Sequence, residues 1–520
     1  MNTSLNSNIV KMKILRTLVF IFLITVVCVI AWRSINYISA SIPDCDSGSF
    51  ASGGYFLLKG KVLYKDFLCY KPPIVFLLNE AALSIGDISL NPIRTMERFF
   101  AVSGGIIFFL IIYLLFKNMW LAFVASVFYI MHFFRPTVLE GGNLTEEYGA
   151  VFVLFGILFA VVSNKTKKFS YTAIFISGMF FAAAFFTKEP FLLSSITWFI
   201  YLILYKDRNY INILKRSSVF IAGAALILAA VVIYLLINDS FKNWLDILSW
   251  GKIYASMSPR KLGIFEQISK NYKLAYNKLF GTTLITGLFA IVGIFSVVHW
   301  QFVKKYKYIP ITALVFGVLD FYATMLSPKG YGHYYLQLVP SYIIISATGV
   351  AFLLDAFKKS RIIQTVFILA IVLLSFNIDK NTYNEYKKRI MMPAKKAVND
   401  NIAEYIKANS TEKDTIWITT TFSPRYYIET QRLSPTIFYV LSDEVVLVNT
   451  YLSTAEEKFN LLMDELKKNP PKFIIAGDAN IKVVNRTMIK IWVDNNYFKI
   501  PLAPNDKQTI LLELKPAVNK

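Results

Sequence analysis

Apolar runs of membrane-spanning length recur along this chain and constrain its fold more than any single motif does. A helix that crosses a bilayer needs about 20 mainly apolar residues, because the hydrocarbon offers no water to unpaired backbone groups. About eleven such runs emerge: approximately Leu15–Trp32, Phe99–Phe116, Trp120–Phe134, Tyr148–Ser163, Tyr171–Thr187, Phe191–Tyr205, Val219–Ile237, Thr283–Val298, Ile309–Leu326, Leu336–Leu354 and Ile362–Phe376. Hydrophobic residues fill 55% of the 520 positions and charged ones 17%, more apolar surface than a soluble domain of this length needs to bury. The stretch Tyr171 to Tyr205 is too long for one span and is interrupted by Lys188-Glu189-Pro190, which predicts a helical hairpin. The first run is longer than the apolar core of a usual signal peptide and reads as a signal anchor.

A formal net charge of +22 would suggest nucleic acid in a soluble protein. Here many lysines and arginines fall in short loops between apolar runs, a pattern that sets membrane orientation. With Lys11, Lys13 and Arg16 in the cytoplasm, alternate loops carrying Lys165, Lys167, Lys168, Lys206, Arg208, Lys304, Lys305, Lys358 and Lys359 are also cytoplasmic. The segment from Asn238 to Gly281 is basic on the opposite side and weakens this asymmetry without reversing it. The expectation is a multi-pass protein of the plasma (inner) membrane with the bilayer as a partner and no nucleic acid. Residues 1–377 form its membrane domain, with external loops 33–98 and 238–282, and residues 378–520 form a soluble extracytoplasmic α/β domain. In that second part a helix (Ala394–Ala408), a strand (Thr415–Thr420), a helix (Thr454–Lys468) and two strands (Lys472–Ala476, Thr509–Leu514) are predicted.

On this topology the chemically interesting groups fall on one membrane face. They are Asp44 and Asp46 after the first span, Tyr64, Asp66 and Lys71 in the same loop, Glu140, Glu146 and Glu147 before the fourth span, Lys188 and Glu189 at the hairpin tip, and Lys329, Tyr331 and His333 before the tenth span. Each has a plainer reading. Asp44 and Asp46 can be solvated loop acids, and Glu146 and Glu147 can serve the positive end of a helix. Lys188 can reach the headgroups like any interfacial lysine, and His333 can be a hydrogen-bonding residue among tyrosines. His132 and His299 read as structural. Cys45 and Cys69 share a loop and can form a disulfide in an oxidising compartment; free thiols are the preferred reading.

Asp46 followed by Gly60, Tyr64, Asp66 and Lys71-Pro72-Pro73 resembles the first external loop of the GT-C glycosyltransferase superfamily. The resemblance is greatest to bacterial relatives of the protein O-mannosyltransferases and to the lipid A aminoarabinose transferase. It extends through Asn143-Leu144-Thr145-Glu146-Glu147, Gly178 to Lys188, and His333-Tyr334-Tyr335-Leu336-Gln337-Leu338 with Pro340. It implies a polytopic α-helical membrane enzyme that moves a sugar from a polyprenyl-phosphate carrier to an acceptor hydroxyl, with the first-loop aspartate at the reacting centre. Asp46 matches that aspartate. The family's common Asp-Glu pair is absent, because Ser47 follows Asp46 and the second carboxylate, Asp44, precedes it; either can be the acting acid.

Displacing a lipid phosphate from an anomeric carbon requires a base for the acceptor proton and cations for the leaving phosphate. Asp46 suits the first role, and Lys71, Lys188, Lys329 and His333 suit the second, with Tyr64, Asp66, Glu146, Glu147 and Tyr331 as substrate contacts. A single displacement would invert the anomeric configuration. A divalent metal ion is a possible cofactor, although two carboxylates alone do not make a site. The main rival is a transporter or flippase of lipid-linked sugars, for which Asp320, the acid inside the ninth run, is the starting residue. A second rival is an oligosaccharide-transferring enzyme, against which stands the lack of a Trp-Trp-Asp-Tyr-Gly motif.

Overall fold

A computed structural model describes residues 2–38, 45–165, 169–204, 209–249, 263–279, 284–327, 330–357, 400–419, 424–440, 449–450, 453–477, 486–501 and 509–516, with single positions between 364 and 392. The chain is a helical, multi-pass membrane protein with a small mixed sheet near its C-terminus. Its first ten helices are α1 (Asn2–Ser34), α2 (Cys45–Leu58), α3 (Ile74–Ile85), α4 (Leu90–Phe116), α5 (Met119–Phe133), the single turn α6 (Pro136–Leu139), α7 (Thr145–Lys165), α8 (Ser170–Phe185), α9 (Phe191–Leu204) and α10 (Tyr210–Ile237). Helices Leu284–Phe295, Ile309–Met325 and Leu338–Ala356 complete the apolar bundle. Ten of the expected runs lie in helices; of the eleventh, Ile362–Phe376, only positions 364, 366, 367 and 370 are described.

Among the described residues, five helical stretches have the length and composition of a span, and six apolar helices are shorter. The 15 residues of α5 rise about 22 Å, less than a hydrocarbon core of about 30 Å. Close packing of small residues holds these helices together where burial from water cannot. A Cβ on Gly178 of α8 would lie 2.1 Å from the Phe220 carbonyl of α10, and one on Gly223 would lie 2.0 Å from the Phe175 carbonyl, so each backbone occupies the other's missing side chain. Gly293 and Gly349 repeat this reciprocal contact between Leu284–Phe295 and Leu338–Ala356.

The boundary of α4 differs from the sequence expectation for a physical reason. Its Ser89 cap accepts from the Asn91 amide, and the helix continues through Arg94 and Glu97 because the two charges neutralise each other at 2.7 Å inside the protein. The segment 33–98, read as a loop, also contains α2 and α3. Phe50, Phe56, Phe67 and Phe76 pack between them, and Tyr427 and Tyr439 from the C-terminal part close over Phe56. Ser52 donates to the Pro424 carbonyl at 2.6 Å, and the Leu68 amide to Ile437 at 2.9 Å.

The sheet has the order β1 (Ile416–Ile418), β2 (Phe473–Gly477), β4 (Thr509–Leu514), β3 (Tyr497–Ile500), with β1 and β2 parallel and the rest antiparallel. Helix Ala455–Lys468 starts on a Thr454–Glu457 capping box and ends before Pro470-Pro471. The strand β3 and the preceding helix Arg486–Asn496 were not expected. β3 is four residues long with only its ends buried, and it follows the helix without a turn signal.

Next to α2, Arg425 bonds Asp400 at 2.8 Å and lies 3.7 Å from Glu429. Burial raises the Glu429 carboxyl to about 7, with Arg425 opposing and Asp400 adding to the rise. A raised acid binds its proton more tightly in the folded state, so its stabilising effect is complete below about 4.5 and is lost as pH rises towards 7. Replacing Glu429 by Gln should therefore flatten the decline in melting temperature between pH 5 and 8, with a gain at pH 8 of at most about 3 kcal/mol. Parallel declines in the two proteins would show that Glu429 does not control it.

Candidate active site

Four pieces of chain meet at one end of the bundle. Asp46 stands in the first turn of α2, where a carboxylate meets the positive end of the helix. Lys71 comes from the loop before α3, Glu146 from the first turn of α7, and Lys188 from the turn joining α8 to α9. The Gly332–Leu336 3-10 turn adds His333 and Tyr334.

The charges are arranged in alternation. Lys71 Nζ lies 3.6 Å from Asp46 Oδ2, with the side chains 12% and 29% exposed, so the acid remains reachable. Lys188 forms an ion pair with Glu146 and places its ammonium 4.2 Å from the Tyr334 ring centre. His333 Nε2 is 3.8 Å from the same Glu146 carboxylate, and Nδ1 is 2.7 Å from Glu140 Oε2. The Glu140 contact assigns a proton to Nδ1 and turns Nε2 towards Glu146. Tyr331 stacks on the His333 ring at 5.5 Å and is 45% exposed.

The two lysines differ electrostatically. Burial opposes the charge on Lys71, yet Asp46, helped by Tyr70, Tyr334 and Glu146, outweighs it and holds the pKa well above the ordinary lysine value. At Lys188, burial and repulsion from Lys71 outweigh Glu146, and the pKa is lowered. Lys71 is thus a firm cation beside the partly exposed acid, while Lys188 is already committed to a buried one.

A second, buried network fixes this geometry. The Asn143 side chain donates to the Ser47 carbonyl at 3.0 Å and to Asn79 Oδ1 at 3.0 Å, and accepts from Asn79 at 3.1 Å and from the Tyr148 hydroxyl at 2.8 Å. All its hydrogen-bonding capacity is used. Its backbone amide donates to Glu97 Oε1 at 2.5 Å, and the Ser47 hydroxyl donates to the Gly142 carbonyl. Gly142 has φ +74°, and a Cβ there would lie 2.3 Å from Glu97 Oε1. One loop thereby joins α2, α3, α4 and α7 and sets Asp46 beside the residues of α7.

Not every expected residue joins the cluster. Asp66 accepts from the Val62 amide at 2.8 Å and shapes its own turn. Tyr64 is fully buried and donates to the Lys71 carbonyl at 2.7 Å, so it supports Lys71 from behind. Glu147 is buried near Glu97 and Arg94, away from Lys188. Asp44 and Lys329 lie outside the described residues. Cys69 carries a free, buried thiol, which burial raises to about 11. Among the described residues no group of three His, Cys, Asp or Glu side chains is arranged to hold a metal ion.

Glu140, Asn143 and Tyr334 were named from sequence, but none of them was given a role in the site. Both Glu140 (φ 54°) and Asn143 (φ 53°) have left-handed backbones, and the run Glu140-Gly141-Gly142-Asn143 was the available signal for a tight, functional turn. Asp320 lies inside the bundle, accepting from Ser194 at 2.6 Å and Gln337 at 3.3 Å, while Gln337 also donates to the Pro190 carbonyl at 3.2 Å. It ties the hairpin tip to the turn bearing His333. His132 bonds its own helix at Phe128, and His299 caps the helix Trp300–Lys305.

No protein-family model and no curated protein matches the sequence. Solved structures do match the fold. ArnT from Cupriavidus metallidurans in the apo state aligns with TM-score 0.60 over 96% of this chain and 98% of its own, at 10% identity. The chain has the fold of the GT-C membrane glycosyltransferases. The same ArnT bound to undecaprenyl phosphate aligns at TM-score 0.57 over 95% and 97% of the two chains, at 10% identity. The GT-C likeness also includes the oligosaccharyltransferase AglB from Archaeoglobus fulgidus, solved with an inhibitory peptide and a dolichol-phosphate. That match has TM-score 0.54 and 12% identity over 94% of this chain and 74% of AglB. The GT-C fold therefore spans nearly the whole chain.

Proposed function

We propose that the chain is a glycosyltransferase that moves a sugar from a polyprenyl-phosphate donor to an acceptor hydroxyl at the extracytoplasmic face of the plasma membrane. The observation that carries the reading is the placement of a reachable acid, Asp46, against a firm cation, Lys71, with the Lys188–Glu146 pair and His333 beside them. The GT-C likeness supports it, and two of the similar proteins were solved with polyprenyl phosphates.

In this mechanism the donor phosphate draws Lys71 away from Asp46. Lys188 supplies further positive charge, and His333 lies beside the same carboxylate. Asp46, freed of its partner, takes the acceptor's proton as the acceptor oxygen bonds to the anomeric carbon. The bond from that carbon to the phosphate oxygen breaks, its electron pair leaves on the phosphate, and the lysines stabilise the charge. One displacement inverts the anomeric centre. Glu146 holds Lys188 in place, and Tyr331 offers an exposed ring to the sugar.

The test is to incubate the purified protein with a panel of polyprenyl-phosphate sugars. The reading expects one donor to be consumed, with polyprenyl phosphate released. Movement of intact lipid-linked sugar across vesicles, with no donor consumed, would favour a flippase and overturn the proposal.

A further inference from the structure

The basic segment from Asn238 to Gly281 runs against the charge asymmetry of the other loops, and it contains the helix Ile264–Lys278. Its three acids are Asp239, Asp246 and Glu266. Asp239 pairs with Lys65 at 3.5 Å, and Asp246 accepts from the Thr450 hydroxyl at 2.6 Å. On the helix itself Glu266 stands against Lys270, Lys273 and Lys278, so positive charge is in excess there.

The helix has three sectors. One is held by the bundle: Asn271 donates to the Thr324 hydroxyl at 2.8 Å and accepts from the Tyr335 hydroxyl at 2.9 Å, and a Cβ on Gly330 would lie 2.5 Å from the Leu274 side chain. Thr324 stands in the last turn of the apolar helix Ile309–Met325, and Tyr335 in the turn that carries His333. The helix Ile264–Lys278 therefore lies at the membrane edge, on the active-site side.

The second sector is aromatic and faces outward. At 3.6 residues per turn, Phe265, Tyr272 and Tyr276 fall within about 40° of one another. Phe265 is 84% exposed, and the two tyrosines are half exposed. A row of large rings is costly in water, whereas at the bilayer edge the rings enter the acyl region and the tyrosine hydroxyls stay among headgroups. The third sector carries Lys273 and Lys270, both exposed, about 80° and 140° round from Phe265. An aromatic stripe flanked by lysines, at the level where an apolar helix ends, is the pattern of a helix lying in the interface of a negatively charged leaflet.

We propose that Ile264–Lys278 is a membrane-surface binding element, seated on anionic headgroups of the active-site-side leaflet through Lys270 and Lys273, with Phe265, Tyr272 and Tyr276 inserted at the acyl edge. The assignment accounts for the basic character of this segment and stands whatever reaction the chain performs.

The test uses the full-length chain in nanodiscs of phosphatidylcholine alone and of phosphatidylcholine mixed with phosphatidylglycerol. With Cys28→Ser, Cys45→Ser and Cys69→Ala as background, a spin label is placed at Tyr276→Cys on the stripe or at its neighbour Asn277→Cys on the charged side. In the mixed bilayer the ratio of collision with lipid-dissolved oxygen to collision with a neutral aqueous nickel chelate should be at least about tenfold higher at 276 than at 277. Hydrogen exchange of residues 264–279 in the unsubstituted protein should be about tenfold slower in the mixed bilayer than in phosphatidylcholine, and Lys270→Gln/Lys273→Gln should abolish that difference. Equal ratios at the two positions would overturn the assignment. So would a label at 276 shielded from both oxygen and nickel, which would show a protein cover, or exchange that is the same in both bilayers.

Discussion

Replacing Asp46 by Asn should lower turnover of a polyprenyl-phosphate sugar by on the order of a hundredfold or more, with the melting temperature nearly unchanged. The amide keeps the shape of the carboxylate and its place in the first turn of α2, but it cannot accept the proton of an acceptor hydroxyl. Stability should change little because Asp46 is partly exposed and its pair with Lys71 spans 3.6 Å. The variant should still bind polyprenyl phosphate, since Lys71 no longer has an acid to leave. Turnover equal to wild type would remove Asp46 from the chemistry, and loss of both turnover and folding would make it structural.

The second large effect should come from a residue that touches no substrate. Asn143→Ala removes the link between α2 and α7 and leaves the Ser47 carbonyl, the Asn79 amide and the Tyr148 hydroxyl buried without that partner. Unsatisfied buried groups of this kind should destabilise the protein by roughly 2–4 kcal/mol. Turnover should fall as well, because Asp46 is then free to shift from Glu146 and Lys188. A thermal melt in detergent beside the donor assay checks both. A variant with unchanged melting and unchanged turnover would show that the Asn143 loop does not position the site.

How far the sequence anticipates the site depends on which physical constraint acts on each residue. The bilayer imposes length and apolarity, so helices such as α5 and α7 were legible within a few residues of their ends. No such constraint marks α2, whose sequence CDSGSFASGGYFLL is rich in serine and glycine and has weak helix propensity. Packing against α3 and the C-terminal tyrosines holds it helical, and no local pattern reports that. Site acids were legible as a group, yet sequence could not say which of Glu146 and Glu147 faces Lys188. Neighbours in a helix point about 100° apart, and only the tertiary structure decides which one enters the cluster. Asn143 was visible as part of a motif, but its value lies in four bonds to residues scattered from Ser47 to Tyr148.

The central claim is that lysines from separate segments receive one phosphate. Its most direct test is the affinity of the purified protein for polyprenyl phosphate, in wild type, Lys71→Met and Lys188→Met/Glu146→Gln; the last removes a buried pair without stranding a charge. Both variants should bind at least about tenfold more weakly, as loss of a charge-assisted contact requires. Affinity unchanged in both, with folding intact, would contradict the account.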